Sequence, residues 1–353
     1  MAIVLITGGT GYVGTFSIIE ALVKGYTVRT TVRSLKKSSS LKESILKTAD
    51  GKLDKETIDS KLTFYEADLT TDEGWEEAIN GAQYILHVAS PFPTSEPKNE
   101  NDLIIPAKEG TLRVLKIASK VGGVTKIVLT SSFAAIGYGH PNHTSISEKD
   151  WTNVNNTPGA YVKSKYYSEK AAWDFVKSNT SNPFELTAIN PVLIIGPVVS
   201  GSPGVSSSID LIKRIVGGET KVGAPKIYMG LIDIRDVAKI HVEALTNEKS
   251  NGERFLLVSG GKEYSMLEIG KIYKKVLDPK DPNVHNLPTR NVPTWILKAG
   301  GLVVPKLKDA ANFADRQMKY NASKAESVFD WTPISVEQSL TDTYNSLKAE
   351  KAL

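Results

Sequence analysis

Ile3-Val4-Leu5-Ile6-Thr7-Gly8-Gly9-Thr10-Gly11-Tyr12-Val13-Gly14 is the stretch that decides the fold. Its four consecutive apolar residues fit a strand buried on both faces. An amphipathic run over 12–24 follows, with Phe16, Ile19, Leu22 and Val23 on one face and Gly25 as its terminator. A turn of small residues joins the two. Such a turn lets the backbone approach a pyrophosphate, and the N–H groups and dipole of the following helix then face the negative charge. The glycines fit two templates: Gly9, Gly11 and Gly14 give GxGxxG, whereas Gly8, Gly11 and Gly14 give GxxGxxG. Alone this signal is weak, but a strand before it and a helix after it are its confirming context. Thr15 and Ser17 do not turn it into an ATP loop, because no Gly-Lys-Ser/Thr follows.

Outward from this turn the alternation continues. Segments 27–32, 62–65, 84–88, 126–129 and 186–189 read as strands, and 103–121 (starting near Pro106) and 161–178 as helices. Residues 34–60 read as a polar surface crossover with a marginal helix. Repeated βα units predict an α/β fold, a Rossmann-type doubly wound parallel sheet. After Gly196 the alternation weakens. Residues 198–230 are rich in Gly, Ser and Pro, helices are expected at 209–216 and 234–245, and a strand at 254–258. Five prolines (279, 282, 288, 293 and 305) make 278–308 irregular. The predicted division is a dinucleotide-binding domain over 1–195 and, over 196–353, mostly a smaller C-terminal substrate lobe. Segments such as 232–246 are expected to return to the first domain.

The second strand chooses the dinucleotide. An NAD site wants Asp or Glu near its end to bind the ribose 2′-hydroxyl. Val28-Arg29-Thr30-Thr31-Val32-Arg33-Ser34 has no acid; Arg33 stands there, nineteen residues after Gly14, followed by Lys36 and Lys37. A guanidinium suits a 2′-phosphate through paired, charge-assisted hydrogen bonds, so NADP(H) is favoured over NAD(H). Arg29 reads as solvated surface.

Tyr161-Val162-Lys163-Ser164-Lys165 places a phenol and an ammonium four residues apart on one helix face. The ammonium is expected to lower the phenol's pKa, so that Tyr161 exchanges a proton with a carbonyl or alcohol oxygen. Ser132 ends Thr130-Ser131-Ser132 after the fifth strand, where open α/β sheets bind ligands, and can hydrogen-bond the oxygen on which charge develops. A nucleophilic serine is the rival reading, but no GxSxG elbow surrounds Ser132.

Composition removes other chemistries. The 353 residues hold no cysteine, which excludes thiolate nucleophiles, disulfides and thiolate metal sites. The five histidines show no HxxxH pair, and His140 and His143 flank Pro141-Asn142 in a loop, so no metal is expected. A net charge of +4, from 43 basic and 39 acidic residues, is too mild and mixed for nucleic acid. No apolar run approaches the ~18 residues of a membrane span, and the first run, 2–6, has no basic flank before it, so a cytoplasmic chain without a signal peptide is expected.

These motifs give the chain a resemblance to the extended short-chain dehydrogenase/reductases. Within them it is most similar to the group of dihydroflavonol reductase, cinnamoyl-CoA reductase and the yeast methylglyoxal/aldehyde reductases. The resemblance rests on Thr7–Gly14, Thr31-Val32-Arg33-Ser34, Ala67-Asp68-Leu69, His87-Val88-Ala89-Ser90-Pro91, Thr130-Ser131-Ser132, Tyr161 with Lys165, Asn190-Pro191-Val192 and 232–238. It implies Ser132, Tyr161 and Lys165 as catalytic residues, with Tyr161 the acid. The implied cofactor site is Thr7, Gly8, Thr10, Gly11, Tyr12, Val13 and Gly14, then Arg33 and Lys37 on the phosphate and Asp68 and Leu69 beside the adenine. Val88, Ala89 and Ser90 would line the cofactor, Pro191, Val192 and Leu193 would sit by the nicotinamide, and Ser208 would touch the cofactor. Family members deliver hydride from the 4-pro-S face, and His87 becomes a core residue. Plant dihydroflavonol reductases carry Asn where this chain has Gly137, which counts against a polyphenol. Phe92, Phe133, Ile136, Tyr138, Val205 and Tyr228 instead suggest an apolar or aromatic carbonyl substrate.

The expected function is NADPH-dependent reduction of aldehydes or ketones by a monomer or homodimer, with no nucleic-acid or membrane partner. The alternatives are an NAD-dependent nucleotide-sugar epimerase or dehydratase, and a non-catalytic NADP(H) sensor.

Overall fold

Seven strands form the central sheet: β1 (Ile3–Ile6), β2 (Thr27–Val32), β3 (Leu62–Glu66), β4 (Tyr84–His87), β5 (Lys126–Thr130), β6 (Glu185–Pro191) and β7 (Arg254–Leu257). The computed structural model describes residues 2–91, 97–157, 159–202, 206–302, 311 and 313–353, with only the backbone at Lys37. Phe92, Val205 and Pro305 therefore lie outside the described residues. The strand order is β7-β6-β5-β4-β1-β2-β3, and every neighbouring pair is parallel. The order reverses direction between β1 and β4, so a crevice opens at their carboxyl ends.

The apolar runs explain the layering. Side chains alternate faces along a strand. Val4 and Ile6 of β1, Leu86 of β4 and Val128 of β5 pack on one face with Ile18 of helix α1 (Tyr12–Val23). Leu5, Ile85, Ile127 and Leu129 face the other way. They pack on Val114 of α2 (Asn101–Val121) and Ala172 of α3 (Ala160–Ser178). Helix α4 (Ile234–Ala244) joins the first face through Val237 and Ile240.

Three features differ from the sequence expectation. Helix α2 begins at Asn101, so Pro106 lies inside it. The hydrogen bond that Pro106 cannot donate is the one to the Asp102 carbonyl, and Asp102 is solvent-exposed, so water can serve it. Residues 34–60 hold two helices, Ser38–Thr48 and Lys55–Lys61, which bury only Leu41, Ile45 and Ile58. Two C-terminal helices, Met266–Val276 and Val336–Ala349, were unread in the sequence. The first carries a full capping box between Ser265 and Glu268, a pattern that announces a helix start. A second sheet pairs Leu193–Ile195 with Tyr228–Asp233, and that strand with Glu263–Ser265.

The C-terminal segment is tied to α4 through Asp236. Its carboxylate accepts hydrogen bonds from Trp331 Nε1 at 3.0 Å and the Ile334 backbone N–H at 2.8 Å. Replacing Trp331 by Phe leaves a buried carboxylate oxygen without its donor. The expected loss, read by urea unfolding, is about 1–3 kcal/mol.

Candidate active site

All strands being parallel, the Gly-rich turn after β1, the segment 88–90 after β4, Ser132 after β5 and Pro191 at the end of β6 reach one edge of the sheet. The turn is sterically determined. Gly8 has φ +74°, and a Cβ there would meet Ala89 Cα at 3.0 Å. A Cβ on Gly14 would stand 2.2 Å from the Gly8 carbonyl oxygen, and one on Gly9 2.2 Å from Thr30 Oγ1. Gly11 is the N-cap of α1 and gives it no side-chain cap. The first N–H groups of α1 therefore face the turn with no intrahelical acceptor, which fits a pyrophosphate. Tyr12 is buried and donates to the Pro197 carbonyl at 3.0 Å, while Thr10 is exposed and Val13 half-buried.

Thr7 locks this turn to β4. Its hydroxyl oxygen accepts from the Val88 N–H at 3.0 Å and the Ala89 N–H at 2.9 Å. With both lone pairs used, its proton goes to His87 Nδ1 at 2.9 Å. His87 is thus held as the Nε2–H tautomer. It is buried, and burial pushes its pKa down to about 3, so it is a neutral core residue.

Arg33 lies exposed just past β2. Asp68 follows β3; hydrogen bonds from Thr70 and, further, the charges of Arg33 and Arg113 hold its carboxyl below the usual range. Leu69, half-buried, receives the Arg113 guanidinium on its carbonyl. The Lys37 side chain lies outside the described residues. Ser90 and Leu193 are half-buried, Pro191 and Val192 buried. Ser208 lies in the first turn of the helix Ser207–Val216, whose Ile209 packs on Tyr12 and Phe16 of α1.

Ser132 and Tyr161 come close together, near enough that the serine side chain favours the phenolate. Lys165 is buried, its ammonium 5.9 Å from the Tyr161 ring centroid. Here the expected pKa direction is corrected. Burial raises the Tyr161 phenol above its usual value, only partly offset by Ser132. The reason is reciprocal: burial also pushes Lys165 down to about 8, against the charge of Glu169. Tyr161 therefore keeps its proton through neutral pH, which suits a proton donor.

The aromatic surroundings are also sorted. Phe133 and Ile136 are core residues, and the Phe133 ring fills the space over Gly137, where a Cβ would come within 1.9 Å of Cζ. Tyr138 is near enough to Tyr161 that the two phenols disfavour each other's ionisation; with burial as the larger cause, Tyr138 rises to about 12. Tyr228 is half-buried in its strand. Sequence spacing did not single out Glu169, Asn190 or Arg254, which form a buried network behind Lys165. The signal was present, since Glu169 continues the four-residue step from Tyr161 through Lys165. Among the described residues no cluster of His, Asp or Glu could hold a metal, and no helix is long and apolar enough to cross a membrane.

The model of the NAD dependent epimerase/dehydratase family matches residues 4–257. The chain is similar to a cinnamoyl-CoA reductase of Medicago truncatula, with 31% identity over 78% of this chain and 80% of the relative. It is similar to the NADPH-dependent methylglyoxal reductase of Saccharomyces cerevisiae, with 29% identity over 72% of this chain and 77% of the relative. The structure of Gre2 from Candida albicans, solved in complex with NADPH, superposes with a TM-score of 0.78 at 27% identity, covering 99% of both chains.

The tight fit of Gly14 against Gly8 is directly testable. Gly14→Ala should lower unfolding stability by about 1–3 kcal/mol, because the turn has no room for a methyl group.

Proposed function

Because the chain belongs to the NAD dependent epimerase/dehydratase family, we propose that it is an NADPH-dependent carbonyl reductase that converts aldehydes or ketones to alcohols. The observation that carries this reading is the placement of Ser132 beside Tyr161, with Lys165 buried one helical turn along α3, at the sheet edge where the Gly-rich turn opens. The relatives point the same way, since the Saccharomyces and Medicago proteins are named as reductases.

The turn fits a dinucleotide: its small residues leave the backbone bare, and the uncapped start of α1 offers N–H donors. Thr7, Gly8, Thr10, Gly11, Tyr12, Val13 and Gly14 would hold the pyrophosphate side. Arg33, with Lys37, would pair with the 2′-phosphate, and Asp68 and Leu69 would flank the adenine. Val88, Ala89, Ser90, Pro191, Val192, Leu193 and Ser208 would line the remainder. NADPH supplies the hydride. Ser132 and Tyr161 donate hydrogen bonds to the carbonyl oxygen, and Tyr161 gives it a proton as negative charge develops there. Lys165 holds the ribose and, as a nearby cation, favours the phenolate left behind.

Arg33 argues against a site built for NAD, as a nucleotide-sugar epimerase would use. Retention of both Tyr161 and Lys165 argues against a sensor without catalysis. The working unit in this reading is a cytoplasmic monomer or homodimer.

NADPH and NADH oxidation over a panel of aldehydes, diketones and flavonoids tests the reading; turnover of aldehydes or diketones with NADPH preferred is expected, and NADPH binding without turnover would favour a sensor. Tyr161→Phe should lower kcat by on the order of 10²–10⁴-fold and leave NADPH affinity nearly unchanged. Arg33→Ser should reduce the preference for NADPH over NADH by roughly tenfold or more, through loss of charge-assisted hydrogen bonds. An unchanged preference would remove Arg33 from the phosphate site.

A further inference from the structure

Behind Lys165 lies a buried carboxylate to which the chemistry above gives no role. Glu169 is 1% exposed and one helical turn beyond Lys165 on the same face of α3. Its Oε2 accepts from the Ser131 hydroxyl and from Asn190 Nδ2 at 2.7 Å. Its Oε1 accepts from Arg254 Nε at 2.6 Å and from Trp173 Nε1 at 3.1 Å. These donors come from the end of β5, from β6, from β7 and from α3 itself. Arg254 is anchored in turn: its Nη1 donates to the carbonyls of Glu148 and Asp150, each at 2.8 Å, and its guanidinium lies 3.7 Å from the Trp151 ring centroid. A buried carboxylate is costly unless it is paired and hydrogen-bonded; this one has four donors, one of them a fixed guanidinium.

Two of those bonds lead to the reacting group. Ser131 precedes Ser132 in the chain, and the Asn190 Nδ2 that meets Glu169 also donates to the Ser132 carbonyl at 3.2 Å. We propose that Glu169 is a positioning residue. Anchored on Arg254, its carboxylate fixes the Ser132 backbone through Ser131 and Asn190 and supplies the counter-charge to the Lys165 ammonium. Among the described residues, the titratable groups facing Lys165 are Tyr161 and Glu169 from α3 and the neutral His87 from β4. Those facing Glu169 are Lys165 and, from β7, Arg254, behind which stands Glu148.

This inference rests on the roles proposed for Ser132, Tyr161 and Lys165. Its test compares full-length wild type with Glu169→Gln and Glu169→Asp. Four quantities are read: kcat and KM for a reducible aldehyde against pH, NADPH affinity against pH by fluorescence, and Tm. In Glu169→Gln the alkaline limb of both pH profiles should move to lower pH, because Lys165 loses its counter-charge. Its kcat should fall roughly tenfold or more with KM little changed, the split of an interaction realised in the transition state. Glu169→Asp keeps the charge but shortens its reach, so the limb should return toward wild type while kcat stays several-fold low. Removing the charge strands Arg254, which threatens folding. If Glu169→Gln does not fold, Glu169→Asp decides: wild-type kcat overturns the proposal, and a several-fold loss at wild-type Tm supports it. Unmoved limbs in a folded Glu169→Gln overturn it. A moved limb in NADPH affinity with no turnover even in wild type would overturn the reductase reading, and with it the positioning of Ser132, and leave only the counter-charge of Glu169 to Lys165 standing.

Discussion

The register of β1 between β2 and β4 is the constraint on which the site depends. Val4 pairs with Val28 on one side and Tyr84 on the other. A slip of one residue would send Val4 and Ile6 to the opposite face and exchange them with Leu5. All three are fully buried, Val4 and Ile6 in one apolar layer and Leu5 in the other, so a slip would force both layers to repack. Once it is set, Thr7 falls level with the end of β4 and binds the Val88 and Ala89 N–H groups. Gly8 then passes so near Ala89 that only a hydrogen fits between them. The turn, the start of α1 and the segment after β4 are thus fixed together, by hydrophobic layering first and hydrogen bonds second.

Burial of polar groups at the same edge sets the chemistry. Burial raises Tyr161 and lowers Lys165, so each is pushed toward its neutral form. A phenol that holds its proton at neutral pH is matched to giving one to a carbonyl, the direction of reduction. Lys165 remains useful as a cation only if something opposes its desolvation, and Glu169, one helical turn along α3, supplies that opposition. The charges at the site are therefore linked in series, from Arg254 through Glu169 to Lys165.

Short apolar or β-branched runs alternating with helical patterns make the strands and the parallel sheet legible, but the run over 254–258, expected in the C-terminal part, is the edge strand β7 of the central sheet. The Gly-rich turn, Ser132, Tyr161 and Lys165 were readable for a related reason: each sits at the end of such a run or at helical spacing. What escaped was of two kinds. The helices over 38–48 and 55–61 bury too few side chains to leave a period, and Met266–Val276 announced itself only by a capping box. The network of Glu169, Asn190 and Arg254 joins residues 21 to 85 positions apart, which no local pattern reports. The pKa of Tyr161 was misjudged from spacing because spacing carries charge but not burial.

The central claim is that this chain moves hydride from NADPH to a carbonyl carbon while Tyr161 protonates the oxygen. NADPH carrying deuterium at the 4-pro-S position, turned over with an aldehyde or diketone in ordinary water, tests it most directly by mass spectrometry of the product. The account predicts one deuterium on the new alcohol carbon. An alcohol carbon without deuterium, even when both C4 positions of NADPH carry the label, would contradict it.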